Sequence, residues 1–204
     1  FTGNEEIWIA GTFTPDGNTG QTQTITLVQD NLVLVGGFAS GDTSKLNRNF
    51  TANPSIFSGD LLGNDSNLSI FNDPSKVDNV YHVVTITGNN VTLDGMTISG
   101  GNANGTVANQ TIGSALYIDS STIDVINLTN TRISRNVSNL EGAVYISSSN
   151  TSDVDLNINA SFFSNNLARA GAALVVERTT NGVVINNIVN SEFSNNTTND
   201  VVVG

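Results

Sequence analysis

Apolar positions in this chain come in short alternating runs, and the runs repeat. Ile133-Ser-Arg-Asn136, Phe163-Ser-Asn-Asn166 and Phe193-Ser-Asn-Asn196 recur at a spacing of 30 residues, and an earlier copy, Ile98-Ser-Gly-Gly101, stands 35 residues before Ile133. Upstream of each lies a further apolar position: Leu93, Leu128, Ile158 and Ile188. Asn127, Asn157 and Asn187 share one phase of the repeat, and Thr131, Ser161 and Ser191 another. Small-residue segments precede them, as in Glu141-Gly-Ala-Val-Tyr-Ile146 and Gly171-Ala-Ala-Leu-Val-Val176. A fixed period of this length signals a repeat architecture. Each unit reads as about three short strands, which in one copy are Ala143 to Ile146, Val154 to Ile158 and Ser161 to Phe163. Asn, Ser, Gly and Asp fill the corners, and Asn181-Gly182 is the sharpest turn signal. Helical stripes are absent, and β-branched residues dominate.

Three strands per unit, repeated, predict an all-β solenoid of parallel strands. A single coil cannot bury its inner face, so coils must stack, and residues one repeat apart then form ladders. Ile98, Ile133, Phe163 and Phe193 are the expected internal apolar ladder. Asn136, Asn166 and Asn196 are the expected corner ladder, where an amide can bond the backbone groups that a bend leaves unpaired. The chain reads as one domain over 1–204. Residues 1–80 form irregular N-terminal coils with a long polar insertion at about 59–80, and 81–204 form regular coils of about 30 residues. A second loop at 100–111 accounts for the stretched interval.

The Phe-x-x-Asn tetrads, paired with Gly-rich strands such as Glu-Gly-Ala-Val, resemble the repeats of polymorphic outer-membrane proteins. Glu6 to Pro15, Leu34 to Phe38, Tyr81 to Val84 and Leu93 to Asn102 resemble the opening of large secreted β-helix proteins. Ile133 in place of Phe and Gly101 in place of Asn are departures from the pattern. The resemblance implies a right-handed parallel β-helix and an extracellular or cell-surface location. It also implies an adhesin-like role.

Composition narrows the partners. A net charge of −11 with only 7 Lys and Arg excludes a broad basic patch, and so argues against nucleic acid or an anionic membrane. There is no cysteine for a disulfide. No apolar run is long enough to span a bilayer. No signal peptide is present, so secretion would require one that was removed or lies outside this sequence. Neither end shows a polar cap, which leaves three expectations: the rest of a longer solenoid, end-to-end stacking with copies of itself, or an irregular N-terminal segment acting as a cap.

Candidate chemistry is sparse. A carbohydrate-active enzyme on a β-helix scaffold, a lyase or a hydrolase, is the alternative to a structural role. A hydrolase needs two carboxylates across a groove. Asp60, Asp94, Asp119, Asp124, Asp153 and Asp155 are the candidates, with Asp153 and Asp155 on one face around an inward Val154. His82 is the only histidine, so no histidine pair can be built, and it is expected to be structural. Arg135 and Arg169 are expected to neutralise nearby carboxylates. No cofactor is expected; calcium is the one ion considered, at Asp16-Gly-Asn18 and Gly59 to Ser66, although neither segment matches a known calcium-loop pattern. Asn64, Asn67, Asn104 and Asn109 are loop sites for glycosylation, whereas Asn136 and Asn196 should be buried. Thr22-Gln-Thr24-Ile-Thr26 has the alternation of an ice-binding face but occurs once. The chain therefore reads as an extracellular structural or adhesive protein presenting a stiff acidic surface to carbohydrate or to surface proteins.

Overall fold

The computed structural model describes residues 6–16, 20–120, 125–148, 154–178 and 184–199. Three strands come first: β1 (Glu6–Trp8), β2 (Thr12–Phe13) and β3 (Ile25–Leu27). Three equivalents follow: β4 (Val33–Val35), β5 (Ser55–Ser58) and β6 (Val84–Ile86). The next circuit has four: β7 (Val91–Asp94), β8 (Met96–Ser99), β9 (Asn102–Ala103) and β10 (Leu116–Ser120). Two more follow the same plan: β11 (Val125–Thr129), β12 (Arg132–Ser134), β13 (Val137–Ser138) and β14 (Val144–Ser148), then β15 (Val154–Asn159), β16 (Phe162–Ser164), β17 (Leu167–Ala168) and β18 (Leu174–Arg178). The last strands are β19 (Val184–Val189), β20 (Glu192–Ser194) and β21 (Thr197–Thr198).

These strands form four sheets. The first holds β1, β4, β7, β11, β15 and β19 in that order, and the second β2, β5, β8, β12, β16 and β20. The third holds β3, β6, β10, β14 and β18, and the fourth β9, β13, β17 and β21. Every pairing among them is parallel. The chain visits the sheets in one cyclic order, so each strand pairs with its counterpart on the next circuit. The architecture is all-β with parallel sheets only among the described residues, and it is compatible with a β-solenoid.

Two details correct the sequence reading. The later circuits carry four strands where about three were expected. The fourth, after the corner asparagine, is only two residues long, too short to show an alternation of its own. The polar segment 59–80 does not simply lie on the outside either. Its last residues, Asn79 and Val80, are fully buried. The Val80 N–H donates to Gly59 O at 3.0 Å, and Asn102 N–H donates to Val80 O at 2.8 Å. Val80 thus takes the place of a fourth strand on a circuit that otherwise lacks one.

Burial alternates along the strands, as a sheet with one inward face requires. In β15 Val154, Leu156 and Ile158 are buried, while Asp155 and Asn157 are half-buried. Inward residues pile up between circuits. Phe57 lies opposite Ile98, Ile98 opposite Ile133, Ile133 opposite Phe163, and Phe163 opposite Phe193. The Phe163 and Phe193 rings stack 4.6 Å apart. Phe163 is wholly buried, whereas Phe193, on β20 at the end of its sheet, is 42% exposed.

The corners are equally regular. Gly100, Arg135, Asn165 and Asn195 occupy one corner with φ of 76°, 60°, 56° and 54°. Asparagine tolerates this left-handed backbone better than other residues with a side chain, which accounts for its abundance at these bends. The next position carries the amide ladder. Asn166 Nδ2 donates to Ile133 O at 2.9 Å, and Asn196 Nδ2 donates to Phe163 O at 2.7 Å. Each oxygen accepts the backbone N–H of the preceding rung, from Gly101 to Asn136 (3.0 Å), from Asn136 to Asn166 (3.1 Å) and from Asn166 to Asn196 (3.1 Å). Asn136 and Asn166 are buried, but Asn196 is only half-buried because it ends the row. Gly101 stands where the repeat has asparagine because a Cβ there would sit 1.9 Å from Ser114 O. Thr131 and Ser161 form a parallel hydroxyl ladder, with Thr131 N–H donating to Ser161 Oγ and Ser161 N–H to Ser191 Oγ, both at 3.0 Å.

No helix is long and apolar enough to cross a membrane among the described residues. Asn181-Gly182, Asp124, Asp153 and both chain termini lie outside the described residues, as do the Asp119 side chain and part of Asp16-Gly-Asn18.

Candidate functional site

Two of the long loops that interrupt the repeat flank the outer face of the second sheet. The first, residues 36–54, is fastened by Arg48. Its guanidinium donates to Gly36 O at 2.9 Å and to Asp94 Oδ2 at 2.8 Å, and it lies 4.6 Å from the centre of the Phe50 ring. Phe50 packs so closely on Gly37 and Gly95 that a Cβ on either would collide with its ring. The second loop spans residues 59–83. The Asp60 carboxylate accepts the N–H groups of Gly63, Asn64 and Asp65 at 2.8, 3.2 and 3.0 Å. Lys76, 1% exposed, pairs with Asp65 at 2.6 Å. Asn79 Nδ2 donates to both Asp65 oxygens at 3.0 Å. Burial pushes the Asp65 carboxyl above the usual range, although these donors oppose the shift. The Ser66 hydroxyl and the N–H and hydroxyl of Ser75 hold the Asp73 carboxyl below that range. Ser69 Oγ donates to Asn165 O at 2.6 Å, which carries this loop along the edge of the sheet.

Beside the first loop lies a groove of about 670 Å³. Phe50, Thr51 and Pro54 form one wall. Ile56, Thr97, Arg132 and Phe162 form one row of the floor, each directly opposite the next. Ser99, Ser134 and Ser164 form a second row, with Asn130 and Asn165 at the two corners. The floor row spans three strand spacings, about 14 Å. Arg132 lies over the Phe162 ring at 5.5 Å. Arg135 lines this groove and also a smaller cleft of about 210 Å³ beside it, where Asp60 and Asp65 contribute. No Asp or Glu lines the larger groove; Glu192 sits one rung beyond Phe162.

The basic residues divide sharply. Lys45 pairs with Glu6, Arg48 with Asp94 and Lys76 with Asp65. Arg132, Arg135 and Arg169 form no ion pair among the described residues, so the expected neutralisation of Arg135 and Arg169 is absent. Each guanidinium is exposed, and Arg169 instead lies 5.3 Å from the Phe71 ring. The groove is therefore locally cationic in an acidic chain. The two loops carried a signal for it, because insertions that fall on one face of a repeat protein commonly mark the binding face. The sequence reading placed an insertion at 59–80 but missed the first loop and the groove.

The candidate acids are largely committed elsewhere. Asp94 accepts from Arg48 and, at 2.9 Å, from Asn130 Nδ2. Asp60 is occupied by its own loop, and Asp155 is half-buried on the first sheet next to a buried Val154. No group of three His, Asp or Glu side chains gathers in a metal-binding cluster among the described residues. The glycosylation candidates Asn64, Asn67, Asn104 and Asn109 are all exposed in loops. The threonine alternation does not persist, because the outer row of the third sheet runs Thr26, Thr85, Tyr117, Tyr145 and Val175.

His82 belongs to that sheet's aromatic column. Its ring stacks on Tyr117 at 4.7 Å, and Tyr117 on Tyr145 at 6.0 Å. Nδ1 lies 3.1 Å from Gly113 O, and because a carbonyl only accepts, this nitrogen carries the proton. The Tyr145 hydroxyl donates to Glu177, and burial together with that carboxylate pushes the phenol upward. Burial lowers the His82 pKa, partly offset by the carbonyls of Gly113 and Asn109. A base depressed by folding contributes stability that is present above its unfolded value, about 6.5, and lost as pH falls through the folded value. Denaturant midpoints should thus fall more steeply as pH drops below about 6.5 for the parent chain than for His82→Gln. Parallel curves would contradict this assignment.

Comparison of the chain with protein-family models, with curated proteins and with solved structures finds no match.

Proposed function

We propose that this chain is a right-handed parallel β-helix of the polymorphic outer-membrane type that works outside the cell as a structural or adhesive element. It would continue a longer solenoid or stack end to end with its own copies, and it would present its outer faces to carbohydrate or to surface proteins. The observation that carries the binding role is the groove beside the first loop: open, mixed polar and apolar, floored by ordered ladders and free of carboxylates among the described lining residues. A rigid, shallow surface of this kind gains avidity by repetition along the stack. The surface location rests on the repeat resemblance.

The hydrolase form of the enzymatic alternative needs paired acids beside a bound sugar, and the larger groove offers none. The lyase form needs a base, often Lys or Arg, and Arg132 and Arg135 line this groove, so turnover is measured beside binding. Binding and turnover can be separated by incubating the protein with immobilised polysaccharides and following both retention and released sugar. Retention without new chain ends is the expected result. Release of shortened or unsaturated sugars would overturn the adhesive role in favour of catalysis. Intact mass of the protein from its native source tests the glycoprotein assignment at Asn64, Asn67, Asn104 and Asn109; the bare peptide mass would remove it.

A further inference from the structure

We infer that the groove over β5, β8, β12 and β16 takes a short carboxylated oligosaccharide, with Arg132 and Arg135 pairing its carboxylates; this rests on the carbohydrate-binding role proposed above. Three observations converge on this occupant. First, the chain spends its cations sparingly. Of 7 Lys and Arg, three are consumed in internal ion pairs, yet two guanidiniums with no ion pair among the described residues line this one groove. A guanidinium presents a flat fork of donors that matches a carboxylate in a two-point contact.

Second, both arginines break their ladders. Arg132 follows Thr97 and precedes Phe162, and the other charge in the row, Glu192, stands two rungs away. Arg135 occupies a left-handed corner, φ 60°, where the following rungs carry Asn165 and Asn195. Arginine is a poor choice for that backbone. Third, the remaining groups suit a sugar. Phe162, 42% exposed, offers an apolar ring face beside Arg132. The hydroxyls of Ser99, Ser134 and Ser164 and the amides of Asn130 and Asn165 supply donors and acceptors along the floor.

The occupant must be short and modestly charged. A dense polyanion such as nucleic acid would meet two cations here and a net charge of −11 around them. A uronate oligomer carries one carboxylate per sugar and can place one or two against the arginines. A second copy of this acidic chain would compete for the same charges and is separated from the sugar in the experiment below.

Titration calorimetry of the full chain with a trigalacturonate, and with its methyl ester as the neutral match, tests this. The acid should bind and the ester should bind at least about tenfold more weakly. Arg132→Thr and Arg135→Asn copy the residues already present on neighbouring rungs, so the fold should be kept, and each should weaken the acid about tenfold. Arg169→Gln, outside the groove, should leave the affinity unchanged. Equal affinity for acid and ester, or for parent and both groove variants, would overturn the inference while leaving sugar binding at another face intact. Failure of the acid to bind also overturns it, and self-association abolished by the groove variants would assign the groove to a second copy instead. If neither trimer nor any immobilised polysaccharide is retained, the carbohydrate-binding role itself falls.

Discussion

Replacing Asn166 with alanine should destabilise the protein by about 3–5 kcal/mol, lowering the melting temperature by roughly 10 °C. The side chain is 1% exposed and serves two rungs at once. Its amide donates to Ile133 O and Asn196 Oδ1, and its oxygen accepts from the N–H and the Nδ2 of Asn136. Truncation strands a backbone carbonyl and a backbone N–H in the interior, each costing about 1–3 kcal/mol. Asn166→Leu should be no better, because restored volume does not restore partners. Asn196→Ala makes the useful contrast: the same rung geometry, but a half-buried side chain at the end of the row, so water replaces part of what is lost. A loss of about 1 kcal/mol is expected there. Equal losses at the two positions would mean that burial of the corner does not set the energy of the ladder.

The buried pair in the second loop should have an effect of similar size. Lys76→Met removes the cation from an Asp65 carboxylate whose side chain is only 17% exposed. Breaking one partner of such a pair costs about 3–5 kcal/mol, because the remaining charge is left uncompensated. Adding Asp65→Asn should recover most of that loss, since the amide oxygen still accepts from Asn79. The pH dependence gives the sign. Burial already raises the Asp65 carboxyl, and a carboxyl raised by folding costs stability that builds as pH rises from its unfolded value through its folded value. Without Lys76 it should rise further, so the deficit of Lys76→Met relative to the parent should shrink as pH falls and the acid protonates. A deficit independent of pH would show that the loss comes from the lysine's packing and not from its charge.

The sequence made the stack legible because stacking is periodic. Ile133, Phe163 and Phe193 sit thirty residues apart and face one another directly. The corner amides followed from the same spacing, together with the need of a bend to satisfy the backbone groups it leaves unpaired. What the period did not carry was lost. β13 and β17 are two residues long and leave no alternation to read. Val80 completes a circuit from the end of a segment that looks polar, because the apolar residue that matters comes directly after Asp78 and Asn79. The groove depends on a non-repeating loop and on which cations find partners. Lys76 and Asp65 are eleven residues apart in the chain and meet, whereas Arg135 and Arg169 form no ion pair among the described residues. That allocation is decided in three dimensions, and no local pattern encodes it.

Pairwise cysteine cross-linking tests the register of the stack most directly, since the chain has no cysteine of its own. Asn127 and Asn157 lie opposite each other on β11 and β15, with an amide hydrogen bond of 3.1 Å between them. Neighbouring strands are about 4.8 Å apart, within the reach of a disulfide, and next-nearest strands, about 10 Å apart, are not. Asn127→Cys with Asn157→Cys should therefore close on mild oxidation. Asn127→Cys with Asn187→Cys, two rungs apart, should stay open. Closure of the second pair in preference to the first, or equal closure of both, would contradict a chain in which each circuit lies directly on the one before.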